Sequence, residues 1–154
     1  VLSRLLVIAH DPSPNLRALK QAILDGARSP AIAGVDVRCL SPFETDVDAV
    51  LAADAVILLT PENLGYMSGA LKDFFDRCFH DLDGRTDALP YALLIRAGMD
   101  GTGTRRAVES ICGGLNWKPV QAPLICRGEW SEGFVEQAAE LGQTVAASLE
   151  AGLI

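Results

Sequence analysis

Three short stretches of this sequence hold residues whose types and spacing could do chemistry. The most unusual is "TPENLGYMSGALKDFFDR", Thr60 to Arg77. Its second half has an ordinary helical period, but Pro61, Glu62, Asn63, Leu64, Gly65, Tyr66 and Met67 do not form a charged, solvating linker. Pro61 stiffens the exit from a strand, while Gly65 and Gly69 let the backbone come close to a flat ligand. Leu64, Tyr66 and Met67 can cover an aromatic face. Taken singly, Tyr66 also reads as a surface aromatic and Met67 as core filler. The combination is what points to a planar ligand.

The first stretch, His10-Asp11-Pro12-Ser13-Pro14-Asn15, follows an apolar run and opens a helix. A strand that runs straight into a helix N-terminus presents unpaired N–H groups, and Ser13 and Asn15 add side-chain donors, so a phosphate could dock there. Asp11 opposes it. Two unit negative charges about 6 Å apart at an effective dielectric of about 20 repel by roughly 2 to 3 kcal/mol, so either Asp11 points away from the phosphate or the phosphate site is weak. In the purely structural reading, Ser13 caps the helix and Asn15 sits in its first turn. The third stretch is "RAGMDGTGTRR", Arg96 to Arg106. It lacks the Lys-Ser or Lys-Thr ending of a P-loop and does not follow the first strand, so its glycines suit backbone contact with a ring edge better than a phosphate cradle. Its structural reading has Thr102 or Thr104 capping a helix, with Arg105 and Arg106 solvated.

Other chemistries fit less well. No Gly-x-Ser-x-Gly elbow accompanies His10 or His80, and a phospho-acceptor site lacks the aspartate at the end of the third strand, which closes with Thr60-Pro61. Cys39, Cys78, Cys112 and Cys126 form no Cys-x-x-Cys pair, so they read as idle thiols and no metal site is expected. The net charge of −7 disfavours nucleic acid and anionic membrane as partners. The opening Leu5–Ala9 run reads as a strand and not a signal peptide, and the expected location is the cytoplasm.

The elements that must position these stretches follow from hydrophobic period. Leu5 to Ala9, Val35 to Leu40, Asp54 to Thr60, Tyr91 to Ala97 and Pro123 to Cys126 read as strands, several apolar at consecutive positions, as strands covered on both faces must be. Apolar stripes at helical spacing run through Leu16–Ala27, Leu71–Phe79, Val108–Leu115 and Phe134–Leu149, with a short helix over Asp46 to Ala53. Ser13 with Pro14, Ser68, and Ser131 with Glu132 suit helix starts, and His80 suits a helix end. Trp117 and Trp130 are expected in or against the core. At 154 residues and 49% hydrophobic composition, one domain over 1–154 is expected. Five β-α units pack as a three-layer α/β/α sandwich. Its common solution is the flavodoxin-like five-stranded parallel sheet in order 2-1-3-4-5, with the ligand crevice at the carboxyl ends of strands 1, 3 and 4.

The segment "TPENLGYMSGALKDFFDR" resembles the second flavin loop and following helix of the flavodoxin-like NAD(P)H-dependent FMN reductase and quinone reductase family. The resemblance implies that Pro61, Glu62, Asn63, Leu64, Gly65, Tyr66 and Met67 surround an isoalloxazine ring. It further implies that His10, Ser13, Asn15 and Leu16 receive the FMN phosphate, and that Ala97, Gly98, Asp100 and Gly101 line the pyrimidine side. The implied cofactor is FMN, with NAD(P)H as co-substrate, a quinone or similar small molecule as electron acceptor, and a homo-oligomer as the assembly. Flavin chemistry needs placement more than side-chain acids or bases, so no catalytic side chain is expected. Two other readings are a flavodoxin-type single-electron carrier, and a scaffold of this fold that has lost its cofactor, which Asp11 favours.

Overall fold

The structure is a computed structural model and describes residues 1–154. In chain order its elements are β1 (Ser3–Ala9), α1 (Pro14–Ala27), β2 (Val35–Leu40), α2 (Val47–Leu51), β3 (Ala55–Asn63) and β4 (Tyr66–Met67). There follow α3 (Gly69–Leu82), β5 (Pro90–Ala97), α4 (Thr102–Gly114), β6 (Lys118–Pro119), β7 (Leu124–Arg127) and α5 (Glu132–Glu150). The parallel sheet runs β2-β1-β3-β5, with both β6 and β7 on the outer side of β5. This is the expected order, with its fifth strand in two pieces. The break covers Val120 to Pro123, and Pro119 and Pro123 bracket it. Proline cannot donate to a ladder, so it is confined to sheet edges and interruptions of this kind.

Alternation along the central strands sends side chains to opposite faces. Leu6, Ile8, Val56, Leu58, Leu93 and Ile95 meet Phe74, Phe75 and Cys78 of α3 and Val108 and Cys112 of α4. Leu5, Val7, Ile57, Leu59, Ala92 and Leu94 meet Leu19 and Ile23 of α1 and Leu141 and Val145 of α5. Ala55 to Pro61 is buried without a gap, so only the strand ends reach solvent. Trp117 is buried and donates to Thr86 Oγ1 at 2.8 Å, while Trp130 is half-buried, as expected of both.

Side-chain caps stand where the sequence placed them. Ser13 accepts from Leu16 N, Ser68 from Leu71 N and Ser131 from Gly133 N; Asp46, expected within the short helix, instead caps α2 by accepting from Ala49 N. The exception is α4. Neither Thr102 nor Thr104 caps it; Gly101, at φ 71°, takes the cap position with no side-chain bond. The outer face of α3 carries the expected Lys72–Asp76 and Arg77–Asp73 pairs. Arg77 also donates to Pro42 O at 2.7 Å and Thr45 O at 3.1 Å, which ties the β2–α2 loop to α3.

Helices α1 and α5 lie in backbone contact. A Cβ on Gly142 would sit 2.1 Å from Ile23 O, which belongs to the helix itself and cannot move aside. Gly142→Ala must push the two helices apart. It is expected to lower unfolding free energy by about 2 to 3 kcal/mol, the upper part of the usual overpacking range, as read from urea denaturation midpoints.

Candidate functional site

The carboxyl ends of β1, β3 and β5 form one rim, and the three stretches singled out by their residue types lie along it. After β1, His10 N donates to Leu59 O, which keeps the chain paired with β3 until the loop begins. His10 is half-buried with its ring edge-on to Phe43, the centroids 6.5 Å apart. Burial lowers its pKa from the ordinary imidazole value, against the opposing effect of the Asp11 charge. Asp11 is engaged by Lys20 of α1 at 2.6 Å, so its charge is met by a cation. Pro12 and Pro14 have no N–H to offer. The N–H groups of Asp11, Ser13 and Asn15 make no bond within the chain, whereas that of Leu16 is taken by the Ser13 cap. The Leu16 side chain is buried in the core.

The second stretch is not a loop. Strand β3 continues through Pro61, Glu62 and Asn63 and turns back antiparallel into β4, with Glu62 opposite Met67 and Asn63 opposite Tyr66. A two-residue connection remains, Leu64 and Gly65, at φ 52° and 73°. Positive φ at both positions is what a type I′ hairpin requires, because its twist matches that of the strands. Leu64 is the wrong residue for such a turn on local grounds, and its side chain is fully exposed. At the hairpin base the fully buried Thr60 hydroxyl accepts from Ser68 N at 3.0 Å and lies 3.2 Å from Ser68 Oγ, the cap of α3. The tip rests on α4: a Cβ on Gly103 would lie 2.1 Å from Gly65 O.

Glu62 joins the second stretch to the third. Its Oε1 accepts from Met99 N at 3.0 Å and its Oε2 from Gly101 N at 2.8 Å. One carboxylate thus pins both sides of the β5–α4 loop to the hairpin, so Glu62 braces the rim. Asp100 Oδ1 accepts from Thr102 N at 3.0 Å, and that N–H holds the Asp100 carboxyl below its ordinary value. The Arg127 Nε donates to Asp100 O at 2.8 Å.

The structure therefore sorts the expected residues by what they can present. Asn63, Leu64, Gly65, Tyr66, Gly98 and Asp100 are exposed on the rim, and the N–H groups of Leu64, Gly65, Gly98 and Asp100 make no bond within the chain. Pro61, Met67, Ala97 and Gly101 are buried. Met67 packs among Leu71, Phe74 and Val108, so its side chain covers no ligand face; alternation in β4 turns Tyr66 outward and Met67 inward. Two further residues belong to the rim. Phe43, from the β2–α2 loop, is 65% exposed, and Met99 is 80% exposed. A lone aromatic in the polar run Ser41 to Asp46 was the available signal for Phe43. No three His, Cys, Asp or Glu side chains gather as a metal site.

The layer order and the rim define a flavodoxin-like α/β protein, and solved structures agree. The chain superposes on a flavodoxin from the domain Archaea with a TM-score of 0.79 at 17% identity, covering 95% of this chain and 98% of that one. For a WrbA-like flavodoxin from Agrobacterium tumefaciens the values are 0.69 and 17%, with 96% of each chain covered. A flavodoxin of Aquifex aeolicus (strain VF5) is 31% identical over 110 residues, which are 71% of this chain and 58% of that protein's length. Residues 41–137 match the model of the NADPH-dependent FMN reductase family, and the chain belongs to that family.

Two outcomes test the site's construction. In Glu62→Gln, one of the two accepting oxygens becomes an NH2 that faces a donor. The variant should lose about 1 to 3 kcal/mol of stability, with hydrogen exchange accelerated at Met99 and Gly101 and unchanged in α5. His10 gives a pH signature. Because its folded pKa is lowered, the folded state holds fewer protons than the unfolded chain just below the ordinary value of 6.5. Stability should therefore fall as pH drops from 6.5 through the folded pKa. Denaturation midpoints of His10→Gln should show a shallower fall across that window.

Proposed function

We propose that the rim binds FMN and that the protein is an oxidoreductase passing electrons from NAD(P)H to a quinone or a similar small acceptor. One observation carries this reading. Apart from Val1, Leu2, Leu153 and Ile154 at the chain ends, the exposed large hydrophobic residues are Phe43, Leu64, Tyr66 and Met99, and all four stand on the rim. Exposed apolar groups gathered beside unbonded main-chain N–H groups suit a planar ring with a polar edge, and suit little else on this fold.

The residues present fit FMN in kind. Leu64 and Tyr66 on one side and Phe43 and Met99 on others supply apolar walls, and the N–H groups of Leu64, Gly65, Gly98 and Asp100 supply donors for the ring's polar edge. The phosphate falls to the N–H groups of Asp11, Ser13 and Asn15. Lys20 on Asp11 removes much of the objection that Asp11 raised, since the pair is close to neutral when seen from the loop. Burial disfavours the charged form of the His10 ring beside this loop. When bound, FMN supplies the electron transfer; the chain's own residues place the ring, keep its edge hydrogen-bonded and leave space for a second molecule. The chemistry of this reading resides in the cofactor, and the chain supplies placement and electrostatics.

A carrier that exchanges electrons only with protein partners is the second reading, favoured by the 31% identity to the Aquifex aeolicus flavodoxin. The two separate in one series of measurements. The purified protein mixed with FMN should quench flavin fluorescence with a saturable dissociation constant. Tyr66→Ala should weaken that constant by about tenfold, the worth of one good aromatic contact. The loaded protein should then oxidise NADPH or NADH continuously when a benzoquinone is supplied. Uptake of FMN without pyridine-nucleotide turnover would decide for the carrier, and no uptake in excess FMN would end both readings.

A further inference from the structure

Beside the rim lies a basic face that the proposed FMN site does not use. It is a wide, open depression of about 580 Å³ whose lining includes Thr102, Arg105, Arg106 and Glu109 of α4 and Ile125 and Arg127 of β7. All three arginines are exposed. Arg105 donates its Nε to Glu109 at 3.0 Å and Arg127 donates its Nε to Asp100 O at 2.8 Å, while the Arg106 side chain makes no hydrogen bond or ion pair within the chain. The terminal nitrogens of all three guanidinium groups therefore remain free. The carboxylates nearby are both engaged, Glu109 by Arg105 and Asp100 by Thr102 N. The face carries a cationic surplus in a chain whose net charge is −7.

The make-up of this face says what kind of partner it suits. Small organic ligands are held by mostly apolar walls, and here Ile125 is the one hydrophobic residue in the lining. Exposed arginines beside an apolar patch are instead the composition of a protein interface, where a hydrophobic centre is flanked by polar groups and arginine is enriched. The apolar patch is next door. In the first turn of α4, Gly103 seats against Gly65 O at the hairpin tip, and Arg127 is bonded to Asp100, which follows Met99. The exposed side chains of Leu64 and Met99 therefore border the basic face on its rim side.

Charge then decides the sign of the partner. A protein rich in Asp and Glu is repelled by the acidic remainder of this chain and attracted at this face, so the field turns the two molecules toward one contact before they touch. A basic partner is turned the other way, with this face outward. We propose that the basic face of α4 and β7, with Leu64 and Met99 as its apolar border, is the docking surface for an acidic protein, which it seats against the rim. The docking itself stands on the charges and the border; its purpose rests on the FMN reading, since a protein seated here lies at the edge of the ring. Contacts between redox proteins are commonly small and polar, and a surface dominated by exposed guanidinium groups suits a short-lived, salt-sensitive complex.

An acidic plant-type ferredoxin serves as the probe, added to flavin-free protein labelled for NMR. At low salt it should shift the Nε signals of Arg105, Arg106 and Arg127 together with the methyl signals of Leu64 and Met99, and leave the Nε signals of Arg4 and Arg38, on β1 and β2, in place. The affinity should fall at least about tenfold between about 20 and about 200 mM salt. The double variant Arg105→Glu, Arg106→Glu should weaken binding at least about tenfold, with its circular dichroism and its FMN uptake unchanged. Absence of shifts, shifts scattered over the whole surface, arginine shifts without Leu64 and Met99, or an unchanged affinity in the double variant would each overturn the proposal. Displacement of the ferredoxin by an equal concentration of inorganic pyrophosphate would overturn it as well, because the face would then be a site for small anions. Failure of the FMN reading shows separately, as no uptake of FMN in excess, while docking is scored without flavin.

Discussion

Burial of the central strands on both faces is the constraint from which the rest follows. Ala55 to Pro61 has no exposed residue, and β1 and β5 are nearly as continuous, so no side chain along these strands can meet a ligand. Chemistry is pushed to where the strands stop. Their parallel direction puts the ends of β1, β3 and β5 on the same edge, each opening into a helix N-terminus or a tight hairpin. The unbonded N–H groups of the rim are what remains when ladders end and helices begin.

An edge made of strand ends is only useful if it holds its shape, and the rim is braced by polar groups and close backbone contact. Glu62 reaches across from the hairpin to Met99 and Gly101, Thr60 and Ser68 lock the hairpin to α3, and Gly65 O seats against Gly103. On the outer side, Arg77 anchors the loop that presents Phe43. Leu64 stands apart from this economy. A β-hairpin turn at positive φ prefers Asn or Gly, and an exposed leucine gains nothing from folding, so both its backbone and its side chain run against local preference. Such conflicts with local preference collect at functional or strained positions.

Hydrophobic period made much of the architecture legible. Apolar runs such as Ala55 to Leu59 fit a strand covered on both faces, and stripes such as Leu71, Phe74, Phe75 and Cys78 fit a helix with one buried face. The rim was legible in outline, from glycines, prolines and aromatics that a plain turn does not need. What was misjudged was the state of that segment. Pro61 suggested an end to β3, yet it sits within the strand as its last buried residue. The pairing of Glu62 with Met67 depends on how the returning chain meets Ser68 and α4, which no local pattern records. Met67 illustrates the cost: one residue from Tyr66 in sequence, it faces the opposite way because pairing fixed the parity of β4. The broken edge strand has the same origin, for Pro119 and Pro123 announce an interruption but not that both pieces share one neighbour.

The sequence alone determined the layer order, the helix caps at Ser13, Ser68 and Ser131, and which three stretches share the rim, because these rest on periodicity and on short-range hydrogen bonding that a linear string expresses. Tertiary structure alone decided that Asp11 is matched by Lys20, that Glu62 spans to Met99 and Gly101, that Phe43 joins the rim, and that Arg105, Arg106 and Arg127 face one depression. Those are encounters between residues far apart along the chain. Their partners are fixed by the register of neighbouring strands and the seating of helices on the sheet, which only the folded packing sets.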